Sequence, residues 1–331
     1  MYHLHERKSN PIRMRAPIAS SPRPDPHVGR WIARELASSP PRAPSLTITV
    51  WGDAIAPHGG AVMLPGLIRL LEPFGINERL TRTSVFRLAR ERWLVARRIG
   101  RRSLYRLTAA GAKRFEQAYR RIYAPAADTW SEDWELVIAN GLSAHRRQTL
   151  AKDLHWAGFG VLAAGVYVRP AQAGNSDPLA IAAQRTGVIA VRARDDGALH
   201  GSSLSSAVPR AWDLTGIAAD YRKFLRRFGG VIERFRLAGS GDRDPEQCFI
   251  VRTLLIHEYR RVLLRDPRLP VALLPLDWPG AAAYTLCRDF YQLAHRSAER
   301  HLVAVLEGPN GALPPANAAF YERFGGLDGQ D

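Results

Sequence analysis

The sequence predicts an α+β fold with an N-terminal winged helix-turn-helix, a ferredoxin-like middle domain and an all-helical C-terminal domain. Three observations predict it. A basic amphipathic segment and a short hairpin pattern occupy residues 77–107, strand and helix patterns alternate over 134–194, and long helical patterns follow Trp212. We set the boundaries as 1–27 for a disordered basic tail, 28–124 for the winged helix, 130–200 for the ferredoxin-like domain, 210–310 for the helical domain and 311–331 for a second tail.

Positive charge is concentrated in one part of the 331-residue chain, whose net charge is +16. Residues 1–44 carry eight basic and three acidic side chains (+5), residues 45–124 carry fifteen and five (+10), and residues 125–331 carry twenty-four and twenty-three (+1). A basic segment joined to a neutral majority indicates a DNA-binding module with a separate sensing or assembly body. The hydrophobic fraction of 46% is ordinary for a globular protein.

The segment from Asn77 to Arg90 predicts a DNA-recognition helix. Asn77 is a suitable N-cap, and Glu78 favours the positive end of the helix dipole. At 3.6 residues per turn one side of this helix is apolar and packs, while the other is basic. The apolar side carries Leu80, Ser84, Val85 and Leu88. The basic side carries Arg79, Arg82, Thr83, Phe86, Arg87 and Arg90.

A predicted β-hairpin, the wing, follows this helix. Trp93 to Val95 begin a strand, Arg97 to Arg102 form a turn with four arginines around one glycine, and Ser103 to Leu107 return as the second strand. From Arg79 to Arg102 there are nine arginines and only one acidic residue. An arginine-rich face can be merely solvated, but this imbalance favours contact with nucleic acid.

We assign the arginines of this region to two roles, because base edges specify a site whereas phosphates position the protein. The residues expected to read bases are Arg82, Thr83, Phe86 and Arg87. The residues expected to hold phosphates are Arg79, Arg90, Arg97, Arg98, Arg101 and Arg102.

Other elements of the N-terminal part follow from local patterns. Helices are predicted at Val28–Ala37, Leu64–Phe74 and Thr108–Tyr123, the last capped by its threonine. Leu46–Ala56 is rich in Ile, Thr and Val, which favours a strand, but its position before a helix-turn-helix equally fits a buried first helix.

The middle segment alternates between strand and helix. Strands are predicted at Trp134–Ala139, Gly160–Arg169 and Gly187–Arg194, with a helix at His145–Trp156 and the start of another at Ile181. This order suggests a ferredoxin-like unit, and its sheet is a candidate dimer surface.

The C-terminal part is predicted to be helical. Its main helices are Tyr221–Phe228, Cys248–Leu264 and Ala281–Leu306, and four prolines within Asp266–Pro279 separate the last two. We expect the residues after Gly308 to form a tail, with Phe320 to Phe324 able to dock.

Several classes of function are not supported. Cys248 and Cys287 stand far apart without metal-ligand spacing, which predicts a reducing cytoplasm. No apolar run approaches the ~18–20 residues of a membrane span, and the N-terminus lacks a signal-peptide core. His257-Glu258 has no second histidine at the HExxH spacing, and no phosphate-binding P-loop pattern exists. We therefore expect no enzyme, no bound metal and no cofactor.

Four stretches together resemble the PaaX family of bacterial transcriptional repressors, which control phenylacetic acid degradation. They are Ser45–Gly60, Leu67–Leu88, Gly100–Gly111 and Leu255–Gly280. The resemblance spans about residues 30–306. It implies an N-terminal winged helix, a middle domain like the ferredoxin-fold nuclease of CRISPR adaptation, and a helical C-terminal domain. It also implies a homodimer bound to a palindromic duplex DNA operator and released by phenylacetyl-coenzyme A.

The middle domain departs from that nuclease at one point. The nuclease places an acidic residue at the end of its first strand for metal binding, whereas this strand ends in Ala139, Asn140 and Gly141. We therefore interpret the domain as a dimerisation module. The alternative is a nucleic-acid-binding protein or metal-dependent nuclease without an acyl-coenzyme A effector, and metal-dependent cleavage would support the nuclease.

Candidate effector residues lie on the helix predicted at Cys248–Leu264. His257, Arg260 and Arg261 could meet the phosphates or thioester of an acyl-coenzyme A, since such a ligand requires charge-assisted donors. The structural alternative is that these side chains form salt bridges between C-terminal helices, with Asp266 or Asp277 as partners.

Overall fold

The computed structural model describes residues 23–125, 130–171, 187–195, 203–239 and 243–327, and it combines helices with two antiparallel sheets. The longer helices are α1 Pro26–Ser38, α2 Ala43–Val50, α3 Leu64–Leu71, α4 Glu78–Arg90, α5 Ala109–Tyr123, α6 Ala144–Trp156, α7 Leu214–Leu237, α8 Pro245–Leu263 and α9 Gly280–Val305. The strands are β1 Ala61–Met63, β2 Leu94–Ile99, β3 Arg102–Leu107, β4 Asp133–Ala139, β5 Gly160–Ala163, β6 Val166–Pro170 and β7 Val188–Arg194.

The segment that fitted both a strand and a helix is helical. After α2 the chain continues through a wider π-helical turn at Trp51–Ile55 and then a tighter 3₁₀ turn at Ala56–His58. The β-branched threonines are tolerated because their hydroxyls donate back along the helix, Thr47 to the Ala43 carbonyl at 2.8 Å and Thr49 to the Ser45 carbonyl at 3.1 Å. The strand interpretation is therefore wrong.

The N-terminal sheet has the strand order β1-β3-β2. Ile99 pairs with Arg102, so only Gly100 and Arg101 form the turn of the β2–β3 hairpin. Gly100 has a φ of +58°, which glycine adopts without strain. The predicted turn at Arg97–Arg102 was too long, because the arginines on both sides of Gly100 continue the strand pairing.

The second sheet is fully antiparallel, with the strand order β5-β6-β4-β7. The strands predicted at 134–139 and 187–194 and the helix predicted at 145–156 are confirmed. The single strand predicted at Gly160–Arg169 is wrong, because the chain reverses at Ala164-Gly165 and forms two strands. Gly165 has a φ of +78°, and a Cβ there would lie 2.8 Å from the Ala139 carbonyl oxygen. The helix expected at Ile181 lies outside the described residues.

The C-terminal helices are confirmed in position, and α7 extends well beyond the predicted Tyr221–Phe228. Part of the segment expected to be a tail is packed. Phe320 and Phe324 are almost completely buried, as the docking expectation required, and the chain remains against the core as far as Leu327.

One hydrophobic core joins the N-terminal helices to the C-terminal helices. Phe74, just after α3, meets Phe249 of α8 with ring centroids 6.2 Å apart. Helix α1 lies against α7 and α8, where Trp31 and Phe228 have ring centroids 5.5 Å apart. The elements from α1 to α5 therefore share a core with the C-terminal helices.

A buried cluster of charged side chains lies within this core. Asp53, in the π-helical turn, accepts hydrogen bonds from the hydroxyls of Tyr123 and Tyr291, the former at 2.5 Å. Arg252 of α8 places Nε 3.3 Å from Asp53 Oδ2 and donates from Nη1 to Glu299 Oε1 at 2.8 Å. Both Asp53 and Arg252 are removed from solvent, so each needs oppositely charged partners within the core for charge compensation.

His58 and Arg323 extend this cluster. His58 lies between Glu299 Oε2, 2.7 Å from its Nε2, and the Pro314 carbonyl oxygen, 2.6 Å from its Nδ1. Arg323 donates from Nη1 to the Asp53 carbonyl oxygen at 2.8 Å, and its guanidinium lies 4.2 Å from the centre of the Tyr123 ring. The docked C-terminal segment is thus bound to the turn that precedes β1. We call the set Asp53, His58, Arg252, Glu299 and Arg323 the charged core.

Replacing Arg252 by Met should destabilise the protein by about 3–5 kcal/mol, because the buried Asp53 carboxylate and the largely buried Glu299 carboxylate both lose an arginine partner. The matched control is Arg222→Met, which removes an arginine paired with Asp277 at the surface and should cost less than about 1 kcal/mol. Urea denaturation at neutral pH measures both free energies of unfolding. Equal, small losses in the two variants would contradict a structural role for the charged core.

Candidate nucleic-acid interface

Helix α4 begins and packs largely as its sequence predicts. The Asn77 side chain accepts from the backbone N–H of Leu80 at 3.0 Å and caps the helix. The buried side consists of Thr81, Ser84, Val85 and Leu88. Leu80 was predicted on this side but is 44% exposed. Thr81 is buried instead, because residues 81, 85 and 88 are spaced four and three apart and so lie on one face of the helix.

The opposite face of α4 is open to solvent. All six side chains predicted there are exposed, and Phe86, at 62% exposure, has no packing role that would explain an aromatic ring at this position. The exposed members are Arg79, Arg82, Thr83, Phe86, Arg87 and Arg90.

Two of these arginines form ion pairs along the helix. Arg82 lies 2.6 Å from Glu78, and Arg87 lies 2.8 Å from Glu91. Exposed pairs at this spacing contribute about 0.3–0.5 kcal/mol, so phosphate or guanine can replace the carboxylate at little cost. The pairs hold the guanidinium groups extended along the helix surface.

The arginines of the β2–β3 hairpin, Arg97, Arg98, Arg101 and Arg102, are also all exposed, but they do not share one face. Arg97 pairs across the strands with Leu104, whereas Arg98 pairs with Ser103, and neighbouring positions on a strand point to opposite sides. Arg106 is exposed on the same side as Arg97 and was missed. Its spacing of four residues from Arg102 on the same strand is the sequence signal that could have identified it, because positions i and i+4 of a strand share a face.

The exposed arginines of α4 and of the hairpin lie on neighbouring elements, since α4 packs against β2, and we call this set of arginines the arginine surface. A helix of this width fits the major groove, and flanking arginines can pair with phosphates of the backbone. Binding by such a surface releases counterions and is weakened by salt.

The three candidate effector residues do not converge on one ligand position. His257 is buried, and its Nδ1 lies 2.9 Å from Thr49 Oγ1. The Thr49 hydroxyl proton is directed to the Ser45 carbonyl, so the ring donates. Burial, reinforced by Arg260, Arg261 and Arg227, lowers the pKa of His257 to about 3. The ring is therefore neutral at physiological pH and offers no positive charge to a phosphate.

Arg260 and Arg261 lie in contrasting environments. Arg260 directs Nη2 to the Ser45 carbonyl oxygen at 3.4 Å, and burial lowers its pKa. Arg261 is exposed and pairs with Glu258 at 3.0 Å. The partners expected for these residues are engaged elsewhere, Asp266 by the Tyr221 hydroxyl and Asp277 by Arg222. That pairing prediction was wrong, because sequence spacing gave no information on which helices face each other.

The middle sheet carries a buried ion pair. Glu135 is fully buried on β4 and lies 2.6 Å from Arg169 and 3.4 Å from Arg192. In the described parts of the chain, no group of three or more His, Cys, Asp or Glu side chains could hold a metal ion. Among those same residues no helix is both long and apolar enough to cross a membrane.

The burial of His257 should make stability depend on pH. Between pH about 6.5 and 3 the unfolded chain binds a proton that the folded chain does not, so stability falls as the pH is lowered through this window, by up to about 1.4 kcal/mol per pH unit. His257→Gln should remove this contribution, measured as the difference between wild-type and variant free energies of unfolding from pH 7 to pH 4. Thr49→Val should retain it, because burial is its main cause. A wild-type pH dependence in His257→Gln would contradict the account.

Comparison with known proteins places most of the chain in one family. Family models match at residues 42–111 (PaaX-like protein), 127–190 (PaaX protein central Cas2-like domain) and 212–304 (PaaX-like protein C-terminal domain). The transcriptional repressor PaaX of Escherichia coli (strain K12) is 35% identical over 300 residues, which cover 90% of this chain and 95% of that protein. The solved structure of the uncharacterized protein Rv0674 from Mycobacterium tuberculosis matches 72% of this chain and 89% of its own, with 26% identity and a TM-score of 0.47. This family consists of regulators and not enzymes, and the chain belongs to it: it is a member of the PaaX family of transcriptional repressors.

Proposed function

We propose that this protein represses genes of phenylacetic acid (aromatic) catabolism, binds a palindromic duplex operator as a homodimer, and is released by phenylacetyl-coenzyme A. The observation that carries the DNA-binding part is the arginine surface, because all ten residues expected to touch DNA are exposed while the other side of α4 is packed. The family supplies the regulatory role.

We interpret the N-terminal part as a winged helix-turn-helix in which α4 enters the major groove. The elements follow one another in the order α2, β1, α3, α4, β2 and β3, the three strands form one sheet, and the β2–β3 hairpin extends from it, which is the element order of that fold. In this arrangement Arg82, Thr83, Phe86 and Arg87 read bases. Arginines at the ends of α4 and in the hairpin hold phosphates.

We assign the middle sheet to a ferredoxin-like dimerisation domain. If its four strands are numbered 1 to 4 along the chain, they lie side by side in the order 2-3-1-4, and all neighbouring strands are antiparallel. This is the strand order of the ferredoxin-like fold. Helix α6 packs on one face. On the other face Ile189 and Val191 are exposed, and apolar side chains of this kind favour a partner surface.

For the effector, the position of α8 favours a direct effect on the DNA-binding part. His257 and Arg260 contact Thr49 and Ser45 of α2, and α2 packs against α4. A ligand that binds at Arg260 and Arg261 would therefore act next to the helix that supports α4. A coupling of about 1–3 kcal/mol between ligand and operator is sufficient for regulation. Arg261 is the member of the three that a phosphate in solution can reach directly.

The division between base-reading and phosphate-holding arginines is testable by substitution. Arg87→Ala should weaken operator binding by about 1–3 kcal/mol and reduce the preference for the operator over random duplex. Arg101→Ala should weaken binding to the operator and to random duplex equally, and it should reduce the slope of log affinity against log salt concentration by about one. Arg120→Ala, on the exposed side of α5, is the control and should change neither. Fluorescence anisotropy with a promoter fragment and a random duplex measures all three. An Arg87→Ala variant that weakens both duplexes equally would remove this residue from base reading.

Release by the effector is testable with the same promoter complex. Phenylacetyl-coenzyme A should lower operator affinity by about 5–150-fold, and free phenylacetate or coenzyme A alone should not. Arg261→Ala should raise the concentration of thioester needed, while Arg265→Ala, which removes an exposed arginine paired with Asp220, should not. Tight operator binding that none of the three compounds affects would reject this effector and leave the repressor assignment standing.

A further inference from the structure

Glu307, two residues after α9, reaches the arginine surface from the C-terminal helical part of the protein. Its Oε2 lies 2.5 Å from Nη1 of Arg102, the first residue of β3. Its Oε1 lies 3.9 Å from Nη2 of Arg69 on α3. One carboxylate therefore faces two arginines from different elements, and each oxygen faces a different guanidinium group.

The main chain holds Glu307 in this position independently of its side chain. The Glu307 carbonyl accepts from the backbone N–H of Met63 at 2.9 Å, which extends the hydrogen bonding of β1. Arg69 also donates to the Val305 carbonyl at 3.1 Å. Gly66 permits this close approach, since a Cβ there would lie 3.1 Å from the Val305 oxygen. Loss of the carboxylate charge alone should leave these backbone contacts intact.

The exposed arginines around Glu307 favour the binding of an anion from solution. Arg102 lies on the side of the hairpin that also carries Arg97 and Arg106, because residues two apart on a strand, and residues directly paired across strands, share a face. Arg69, Arg102 and Glu307 are all about half exposed, so a phosphate can reach the two guanidinium groups. Exposed pairs of this kind contribute at most about 1 kcal/mol, so the carboxylate is readily displaced.

We propose that Arg69 and Arg102 form a binding site for a backbone phosphate of duplex DNA, and that Glu307 occupies this site in the free protein until the phosphate displaces it. The two non-bridging oxygens of a phosphodiester present the same pair of acceptors as the two carboxylate oxygens, and arginine binds both groups with the same geometry. This inference rests on the proposed DNA-binding function, and it adds Arg69 and Glu307 to the residues that determine affinity.

Displacement of Glu307 has a consequence for salt dependence. Each phosphate neutralised by an arginine releases counterions, but a freed carboxylate takes up a cation and offsets part of this release. Glu307→Gln removes that offset. The variant should therefore bind DNA more tightly than wild type, and its affinity should fall more steeply with salt.

The test measures dissociation constants of the full-length protein for a promoter fragment and for a random duplex, over a range of salt concentrations. Glu307→Gln should tighten binding to both duplexes by about 3–10-fold at low salt and steepen the salt slope by about one. In an Arg69→Ala, Arg102→Ala background the same substitution should have no effect. Glu116→Gln is the matched control, because it removes an exposed carboxylate paired with Arg120 on α5. Circular dichroism should show equal thermal stability for wild type and Glu307→Gln.

Three results would overturn the proposal: Glu307→Gln binds no more tightly than Glu116→Gln, it binds more weakly than wild type, or its effect persists without the two arginines. Failure of the proposed function gives a different result. In that case the wild-type protein would show no preference for the promoter fragment over random duplex. The ratio of the Glu307→Gln and wild-type dissociation constants for random duplex would still test the phosphate site.

Discussion

Pairing of Asp53 with the buried arginines is the interaction on which the arrangement of this protein depends. Asp53 follows α2, its cation Arg252 belongs to α8, and the hydroxyls that donate to it come from α5 and α9. Arg323 of the C-terminal segment donates to the Asp53 carbonyl oxygen, and its Nη1 lies 3.5 Å from Oδ1 of the carboxylate. A buried charge is stable only while its partners stay in place, so separating the N-terminal helices from the C-terminal helices would leave several charges uncompensated.

This packing connects the helical part of the protein directly to the elements that carry the arginine surface. Helix α2 contacts α8 through Thr49 and His257, and it packs against α4. The chain after α9 contacts the hairpin through Glu307 and the turn before β1 through Pro314. Movement of α8 or α9 would therefore reach both components of the arginine surface, the helix and the hairpin, without an intervening flexible linker.

Local patterns were sufficient to predict the elements of the arginine surface. The cap at Asn77, the 3.6-residue periodicity of α4 and the alternation of the hairpin all act between neighbours in sequence, so they can be recognised without knowing the rest of the fold. The errors in this region were small: Thr81 rather than Leu80 is buried, the hairpin turn is shorter than predicted, and Arg106 was missed. The missed hairpin at Gly165 was also local, but a single glycine within an apolar run gave a weak signal.

Interactions between distant segments could not be predicted. Asp53 and Arg252 are far apart in sequence, as are His257 and Thr49, and no pattern near any of them indicates a partner. For the same reason His257 was a plausible ligand-binding residue in the sequence, whereas its burial makes it a neutral group. The helical state of α2 likewise required tertiary packing, since Leu46 and Trp51 are buried on all sides although the composition favours a strand.

Photocrosslinking tests the central claim, that the exposed face of α4 meets DNA, most directly. A benzoylphenylalanine at position 86 replaces an aromatic ring that is 62% exposed, and the same residue at position 156 replaces Trp156 of α6, which is 57% exposed. With the promoter fragment bound, the account predicts a covalent protein–DNA product from position 86 and none from position 156. A product from position 156 alone, or no product from position 86 while DNA remains bound, would contradict it.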